Sequence, residues 1–383
     1  MSTKSVNQLK GLFFLLLMGL LPGCTYFKML IHQSPKVDDM KIFPNRSISA
    51  SRHPYHFNYS NKYLPYLDTV KIYNPNTRVE STLDTLLAQD KTRAFIIYIN
   101  NQIVCEKYFR GCNESTISSV FSVSKSILSA LIGVLISNGY IQSIDQKIID
   151  YIPQLKGNPN FNQITIKQLL QMSSGLSWKK NKTFNDDGKF YYTSNIRRLI
   201  VRHKLSSTPG SNWEYKNIDS ELLGWVIENA TGSTISGLVQ KYLWEPMGAE
   251  FNAYWSLDNK NGVEKASSSL NATARDLLKF GCIYLYNGKF NTEQIVPQSW
   301  IAKIFDIPLS PNQQPHLKHN FFWWIPNDGS DREIVADGYL GQRITINPRY
   351  NIIIVKLAEA NSNTNLDKVL RYIINTEAMS SAN

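Results

Sequence analysis

The spacing of hydrophobic and polar positions changes along the chain and predicts where strands and helices lie. Residues 95–99 and 103–108 are apolar runs separated by two asparagines, which predicts a β-hairpin. Residues 127–136 are apolar on nearly every side, as expected for a helix inside the protein. Between about residues 141 and 265 the spacing is mostly that of helices, interrupted by turns.

Short apolar runs return towards the C-terminal end of the sequence. A helix is predicted at residues 272–280, followed by four strands at 321–325, 334–336, 342–346 and 351–357 and a helix at 363–374. A sheet built from both chain ends, with helices inserted between them, is an α+β arrangement. We therefore predict an α+β fold in two lobes: an antiparallel sheet flanked by helices, and a mostly helical lobe. A cleft between such lobes is a common place for an active site.

The N-terminal residues have the pattern of an export signal. Two lysines precede an apolar run at residues 11–21, which is too short for a membrane-spanning helix of ~20 residues. Residues 21–24, Leu-Pro-Gly-Cys, resemble the lipobox of bacterial lipoproteins, which implies cleavage before Cys24 and attachment of lipid to it. We therefore expect residues 1–23 to be a lipoprotein signal peptide. A plain secretory signal with a cysteine nearby is the alternative.

The lipobox resemblance implies an exported bacterial lipoprotein, anchored in a membrane and facing the periplasm. Thr25 rather than aspartate follows the cysteine, which favours the outer membrane in a Gram-negative organism. Residues 24–80 are rich in Pro, Asn, Tyr and His without sustained periodicity, so we interpret them as an arm or linker. Residues 81–383 are then the folded domain.

Composition and charge exclude several classes of function. The chain of 383 residues is 43% hydrophobic and 19% charged, which is ordinary for a globular protein. Its net charge of +11 comes from scattered basic residues, so no nucleic-acid partner is expected. No Cys-x-x-Cys pair occurs, and His316 and His319 are expected to be solvated in a loop. We expect no metal and no cofactor.

Ser122 and Lys125 are the strongest candidates for catalysis. They stand at the start of the apolar helix, three residues apart, so their Cβ atoms share one face at roughly 5–6 Å. Serine becomes nucleophilic when a base takes its proton, and lysine becomes a useful base when burial lowers its pKa. Ser-x-x-Lys is short, however, and is equally typical of a helix cap followed by a surface lysine.

Tyr215 and Asn217 form a second candidate motif, on a turn before a predicted helix. A tyrosine beside a cationic lysine can have its pKa lowered towards working pH and can then shuttle protons. The side-chain amide of Asn217 is able to bind a substrate carbonyl. A buried tyrosine that packs on a turn is the alternative.

Gly338 and Tyr339 form the third motif, before an apolar strand. Two glycines within four residues allow a close approach of backbone to ligand. An exposed backbone N–H here, together with that of Ser122, would make an oxyanion hole. A β-bulge without chemistry is the alternative.

Taken together, these motifs resemble the serine β-lactamase-like and penicillin-binding superfamily. The resemblance is to its class C-type hydrolases and 6-aminohexanoate-dimer hydrolases, which cleave amides and esters. It covers the chain from about residue 81 onwards, and its stretches are 121–126, 166–178, 208–224, 267–281, 294–297 and 338–342.

The resemblance implies a role for each residue that matches a motif. Ser122 would be the acylated nucleophile, Lys125 its base partner and Tyr215 a second proton shuttle. Asn217 would contact the substrate, and the backbone N–H groups of Ser122 and Tyr339 would bind the oxyanion. The partners expected are therefore a small amide or ester substrate and, through the lipid anchor, a membrane.

One departure from the family pattern affects the substrate. Penicillin-recognising members mostly have Lys-Thr-Gly or His-x-Gly where this chain has Ala336-Asp337-Gly338. The cation that receives a substrate carboxylate is therefore missing, and Asp337 would repel one. We favour a serine hydrolase that acts on an amide or ester. A non-catalytic binding or sensor protein, and a D-Ala-D-Ala peptidase or β-lactamase, are the alternatives.

Overall fold

The computed structural model describes residues 25–60, 67, 71–74, 79–180, 184–306, 317–326, 332–361, 369 and 371–374. The strands are β1 (Asn45–Ile48), β2 (Asn58–Tyr59), β3 (Lys71–Asn74), β4 (Val79–Thr82), β5 (Thr92–Ile99), β6 (Gln102–Tyr108), β7 (Ser118–Ser119), β8 (Ala253–Ser256), β9 (Leu270–Ala272), β10 (Lys289–Phe290), β11 (Glu293–Gln294), β12 (Leu317–Asn320), β13 (Trp323–Pro326), β14 (Ile334–Gly338), β15 (Gln342–Asn347) and β16 (Ile352–Ala358).

The α-helices lie mainly between β7 and β12. They are α1 (Thr25–His32), α2 (Leu83–Gln89), α3 (Val123–Ser137), α4 (Ile148–Tyr151), α5 (Ile166–Leu170), α6 (Asp186–Tyr192), α7 (Ile196–Ile200), α8 (Asn217–Thr231), α9 (Ile235–Val239), α10 (Ala274–Leu285) and α11 (Gln298–Ile304). Short 3-10 turns occur at Asp39–Lys41, Pro153–Leu155 and Tyr339–Gly341, and one π-helical turn at Gln240–Trp244.

The main sheet combines strands from both ends of the chain, as predicted. Its order is β12-β13-β14-β15-β16-β5-β6-β2, and neighbouring strands are antiparallel except for the parallel pair β2 and β6. A second sheet has the order β1-β8-β9-β7. Asn100 and Asn101 form the turn of the β5–β6 hairpin with φ of 47° and 69°, a left-handed conformation that asparagine tolerates. The α+β fold is confirmed.

Helix α3 is the central helix and holds the first candidate motif at its N-terminal end. Its side chains are buried from Val123 to Leu135, so helices and sheet cover it on all sides. Gly133 allows this close packing, because a methyl group there would lie 2.4 Å from the Trp300 ring. The apolar run was therefore correctly assigned to an internal helix.

The interpretation of residues 24–80 as a linker is wrong for the residues of this segment that the structure describes. Strand β1 pairs with β8, β2 joins the main sheet, and α1 packs against α6. Phe43 and Phe57 are buried in the folded body. Strands of two to four residues are too short to produce a periodic pattern, which is why the sequence did not reveal them.

The predicted strand at residues 321–325 has the wrong bounds. Phe321 and Phe322 have φ of 49° and 64° and form the turn between β12 and β13. Their side chains are buried in the core, and the Ser126 hydroxyl donates a hydrogen bond of 2.8 Å to the Phe322 carbonyl. Buried apolar side chains occur in turns as well as strands, so hydrophobicity alone did not separate the two. Most of the predicted helix at 363–374 lies outside the described residues.

Candidate active site

Ser122 is held at the sharp entry into α3. The preceding Phe121 has a φ of 46°, and the Ser122 side chain makes no capping hydrogen bond to the helix. It is instead a partner of Lys125, whose Nζ lies 3.0 Å from Ser122 Oγ. The three-residue spacing along one helix face thus brings the amine and the alcohol into hydrogen-bond contact, as predicted.

Lys125 is fully enclosed by the protein. Besides Ser122, its Nζ donates to Asn217 Oδ1 at 2.8 Å and to the Ser267 carbonyl at 2.7 Å. Burial lowers the pKa of Lys125 to about 7, although the nearby carboxylates of Glu221 and Asp187 act in the opposite direction. In a substantial fraction of the molecules, Lys125 is therefore an uncharged amine at neutral pH, and a general base must be uncharged.

Tyr215 completes a triangle with Ser122 and Lys125. Its hydroxyl is hydrogen-bonded to the Ser122 side chain, and Lys125 Nζ lies 5.1 Å from the centre of its ring. The ring stacks on Trp324 at 5.6 Å with an interplanar angle of 15°. The turn beneath it is fixed by Lys216, whose buried Nζ donates 2.9 Å to the Leu176 carbonyl.

The prediction that Lys125 lowers the pKa of Tyr215 is wrong. Burial is the largest effect and raises that pKa above its ordinary value, while the Ser122 hydrogen bond offsets this only in part. The negative charges of Asp337 and Asp187 act in the same direction as burial. Tyr215 is therefore a protonated hydroxyl at neutral pH, hydrogen-bonded to the Ser122 side chain.

Asn217 begins α8 and connects Lys125 to an acidic group. Its Oδ1 accepts from Lys125, and its Nδ2 donates to Asp187 Oδ1 at 2.9 Å. Burial raises the pKa of Asp187, opposed by the charges of Lys125 and Lys180. Both amide atoms of Asn217 are thus engaged by protein groups, and this residue positions Lys125. The substrate contact predicted for Asn217 stays a prediction.

The end of β14 passes beside Ser122. A methyl group in place of the Gly338 hydrogen would lie 2.5 Å from the Val120 carbonyl oxygen and 3.4 Å from the Ser122 backbone nitrogen. Only glycine permits this approach without displacement of backbone. Tyr339 follows directly and places its ring edge-on to Phe121 at 5.6 Å. The third motif therefore lies directly beside Ser122.

Gln342 anchors the turn that contains Tyr339. Its Nε2 donates to the carbonyls of Tyr339 at 3.2 Å and Leu340 at 3.1 Å, and to the Ala358 carbonyl of β16 at 2.6 Å. The side chain is fully buried. This glutamine thus fixes the backbone conformation next to Ser122 without contacting the serine.

A cavity of about 710 Å³ opens over Ser122. Much of its wall is aromatic or apolar, with Asp187 and Lys180 as charged groups; among its residues are Phe121, Phe184, Tyr191, Tyr192, Tyr215 and Tyr339. Ligand sites of this size are mostly apolar, with a few polar groups for orientation. The cavity therefore brings all three predicted motifs into one site.

The β-lactamase family profile matches residues 80–377, which is most of the chain. The chain belongs to the β-lactamase family. A relative, the 6-aminohexanoate-dimer hydrolase of Paenarthrobacter ureafaciens, is 24% identical, and the alignment covers 72% of this chain and 74% of the relative. Esterase EstB of Burkholderia gladioli is 27% identical over 36% of this chain and 38% of its own length.

Solved structures agree with this assignment. A Bacillus anthracis structure named for 6-aminohexanoate-dimer hydrolase has a TM-score of 0.80 and 25% identity, covering 90% of this chain and 94% of that one. The octameric penicillin-binding protein homologue of Pyrococcus abyssi, with a TM-score of 0.58, 18% identity and coverage of 75% and 76%, shows the shared fold alone. The chain thus has the fold of the β-lactamase family, whose members are hydrolases. Its homologues include 6-aminohexanoate-dimer hydrolases.

Sequence reasoning missed two side chains at this β-lactamase-family site. His319 lies on β12, buried, with its ring 5.6 Å from that of Tyr215 and 4.8 Å from that of Trp324. Burial and the charge of Lys125 lower the pKa of His319 to about 3, so it is neutral and not solvated as expected. Asp187 was missed as well, and its only sequence signal is its place in the first turn of a helix.

The remaining expectations concern metals, membranes and cysteines. In the described parts of the chain, no group of three or more His, Cys, Asp or Glu side chains is arranged to hold a metal ion. None of the described helices is long and apolar enough to cross a membrane. Cys24 lies outside the described residues, and Cys112 and Cys282 are free thiols.

Proposed function

We propose that the protein is a serine hydrolase that cleaves an amide or ester through an acyl-enzyme on Ser122. The observation that carries this proposal is the contact of 3.0 Å between Ser122 Oγ and the Nζ of Lys125, a buried amine with a pKa of about 7. A buried lysine with such a pKa beside an alcohol, at the floor of a cavity, is the arrangement of an activated nucleophile.

The reaction begins with proton transfer from Ser122 to the free amine of Lys125. The Ser122 oxygen forms a bond to the substrate carbonyl carbon, and the carbonyl oxygen takes negative charge near the backbone N–H groups of Ser122 and Tyr339. The bond to the leaving amine or alcohol then breaks, and that group receives a proton through Tyr215. Water enters by the reverse route and releases the acid, which restores Ser122.

The residues at the end of β14 favour a neutral acyl donor. Ala336 is buried, and Asp337 beside it is exposed at the strand end. No cation is therefore supplied from the positions where penicillin-recognising relatives have one. The named activities of the relatives, 6-aminohexanoate-dimer hydrolase and esterase, support amides and esters as substrates.

We also propose that the protein is an exported lipoprotein. Residues 1–23 would be removed as a signal peptide and Cys24 would carry the lipid, which places the enzyme on a membrane surface and, in a Gram-negative organism, on the periplasmic side of the outer membrane. Metabolic labelling with a radioactive fatty acid tests this, and labelling should be lost in Cys24→Ala.

A fluorophosphonate should form one covalent adduct on the wild-type protein. Its phosphorus takes the place of the substrate carbonyl carbon and traps an activated serine. Intact-mass measurement should show one adduct on wild type and none on Ser122→Ala, whereas Ser177→Ala, in the second Ser-x-x-Lys of the chain, should still be labelled. Failure of the folded wild-type protein to react would contradict the proposal.

The pH dependence should report the ionisation of Lys125. Because the base must be uncharged and its pKa is lowered to about 7, kcat/KM for a soluble ester should rise with pH and level off above about 8. Below pH 6 it should fall by nearly tenfold per unit, since each unit protonates ~90% of the remaining free amine. A steady rate from pH 5 to 8 would exclude Lys125 as the base.

A further inference from the structure

Helix α1 carries its apolar side chains on the outside. Within it only Met29 is buried, while Tyr26, Leu30 and Ile31 are 49%, 60% and 59% exposed. Tyr26 and Leu30 are four residues apart and thus share one face, with Ile31 beside them. A helix that turns apolar side chains to solvent at a protein surface is typical of one that lies in a membrane interface.

The same segment also forms part of the wall of the active-site cavity. Met29, Leu30 and Gln33 line it, followed by Ser34 and Pro35. The helix is held in place by α6: Gly188 leaves room for Met29, since a methyl group at Gly188 would lie 2.4 Å from Met29 Cε. The exposed apolar face and the cavity over Ser122 are thus built from one short helix.

Basic side chains flank the start of α1. Thr25 and Tyr26 share a second cleft of about 350 Å³ with Lys189, Arg198 and Arg202. Arg198 and Arg202 are exposed and four residues apart. Guanidinium groups pair well with phosphate oxygens, so this edge complements an anionic lipid surface.

The sequence before α1 also indicates that this helix lies near a membrane. The apolar run at residues 11–21 and Cys24 directly precede the helix. From residue 25 to Met29, four residues of helix rise only ~6 Å. If the apolar run or a lipid on Cys24 holds these residues at a membrane, the cavity wall at Met29 is therefore close to that membrane.

We infer that the face formed by Tyr26, Leu30 and Ile31, with Arg198 and Arg202 beside it, lies on an anionic phospholipid bilayer and that the cavity takes its substrate from there. The substrate class is an amide or ester of a lipid-soluble acyl chain. The reaction is acyl-enzyme hydrolysis: the acyl group passes to Ser122 Oγ, the alcohol or amine leaves with a proton, and water releases the acid. This inference rests on the proposed hydrolase function.

The test compares hydrolysis of a membrane-embedded ester with that of a soluble one. Full-length protein is reconstituted with phosphatidylcholine–phosphatidylglycerol vesicles that contain p-nitrophenyl palmitate, and p-nitrophenyl acetate is the soluble substrate. Ile31→Glu should lower the ratio of palmitate to acetate rates about tenfold, because a charge replaces an apolar contact with the bilayer. Tyr140→Glu, a control at a residue that is 40% exposed outside the cavity, should leave the ratio unchanged.

Two further experiments test whether anionic lipid, rather than a second copy of the chain, covers the exposed face of α1. Arg198→Glu with Arg202→Glu should lower the ratio on anionic vesicles and leave it unchanged on pure phosphatidylcholine. Hydrogen exchange in residues 25–32 should slow when vesicles are added, independently of protein concentration. Exchange that slows with protein concentration instead would identify a second copy of the chain as the occupant and overturn the inference.

Failure of the inference and failure of the proposed function give different results. If acetate hydrolysis depends on Ser122 but the ratio is the same in wild type and Ile31→Glu, the membrane-derived substrate is excluded. If no ester is hydrolysed in a Ser122-dependent way, the proposed function fails and the substrate class with it, while hydrogen exchange still decides the membrane contact.

Discussion

Replacement of Lys125 by methionine should lower kcat/KM for a soluble ester by about 10²–10⁴, the range that a positioned general base contributes. The free amine at 3.0 Å from Ser122 Oγ is then absent, and no other described side chain hydrogen-bonded to that oxygen has a pKa near neutrality. Methionine is similar in length, so the loss should fall on kcat more than on KM. Steady-state kinetics on purified protein measure both.

The controls for this variant separate chemistry from folding. Methionine leaves Asn217 Oδ1 and the Ser267 carbonyl without the amine, which costs about 1–3 kcal/mol for each buried acceptor. Thermal unfolding should therefore confirm that the variant is folded at the assay temperature. Lys156→Met, at an exposed lysine, should keep wild-type rates. A Lys125→Met enzyme with more than a tenth of wild-type activity would refute the assigned role.

Gly338→Ala should lower kcat by about 10²–10³, the loss expected when one oxyanion donor is misplaced. The added methyl group would lie 2.5 Å from the Val120 carbonyl oxygen, a contact that must be relieved by moving backbone. The end of β14 would then move away from the Ser122 nitrogen, and the Tyr339 N–H would move with it. KM should change less, because the cavity walls stay in place.

An alanine substitution at a second glycine tests whether the loss of kcat is specific to the end of β14. Gly237→Ala in α9 places its methyl group 3.1 Å from the Thr234 hydroxyl oxygen, a side-chain contact that a shift of a few tenths of an ångström relieves. This variant should keep wild-type kinetics. Equal losses of kcat in both variants, or a normal kcat in Gly338→Ala, would argue against an oxyanion hole at the β14 end.

The parts of the site that follow from local spacing could be predicted from the sequence. Ser122 and Lys125 meet because they are one helical turn apart, and the helix itself was evident from a segment that is apolar on nearly every side. The position of Gly338 beside Ser122 was also anticipated, through the resemblance of its motif to a known family.

Features that depend on distant segments could not be predicted. The pKa of Tyr215 is set by enclosure, and the rings that cover it, from His319 and Trp324, come from a hairpin about a hundred residues later in the chain. The role of Asn217 as a link between Lys125 and Asp187 likewise depends on how α6 packs against α8. Tertiary contacts of this kind leave no trace in local periodicity.

The contribution of α1 to the cavity has a practical consequence for how the enzyme is produced. A recombinant form shortened to begin after residue 35, a common step to improve yield, would lack Met29, Leu30 and Gln33 from the cavity lining. Such a protein keeps the Ser122–Lys125 pair, so it would still react with small activated esters. Its preference for acyl chain length would then describe a widened pocket rather than the natural enzyme.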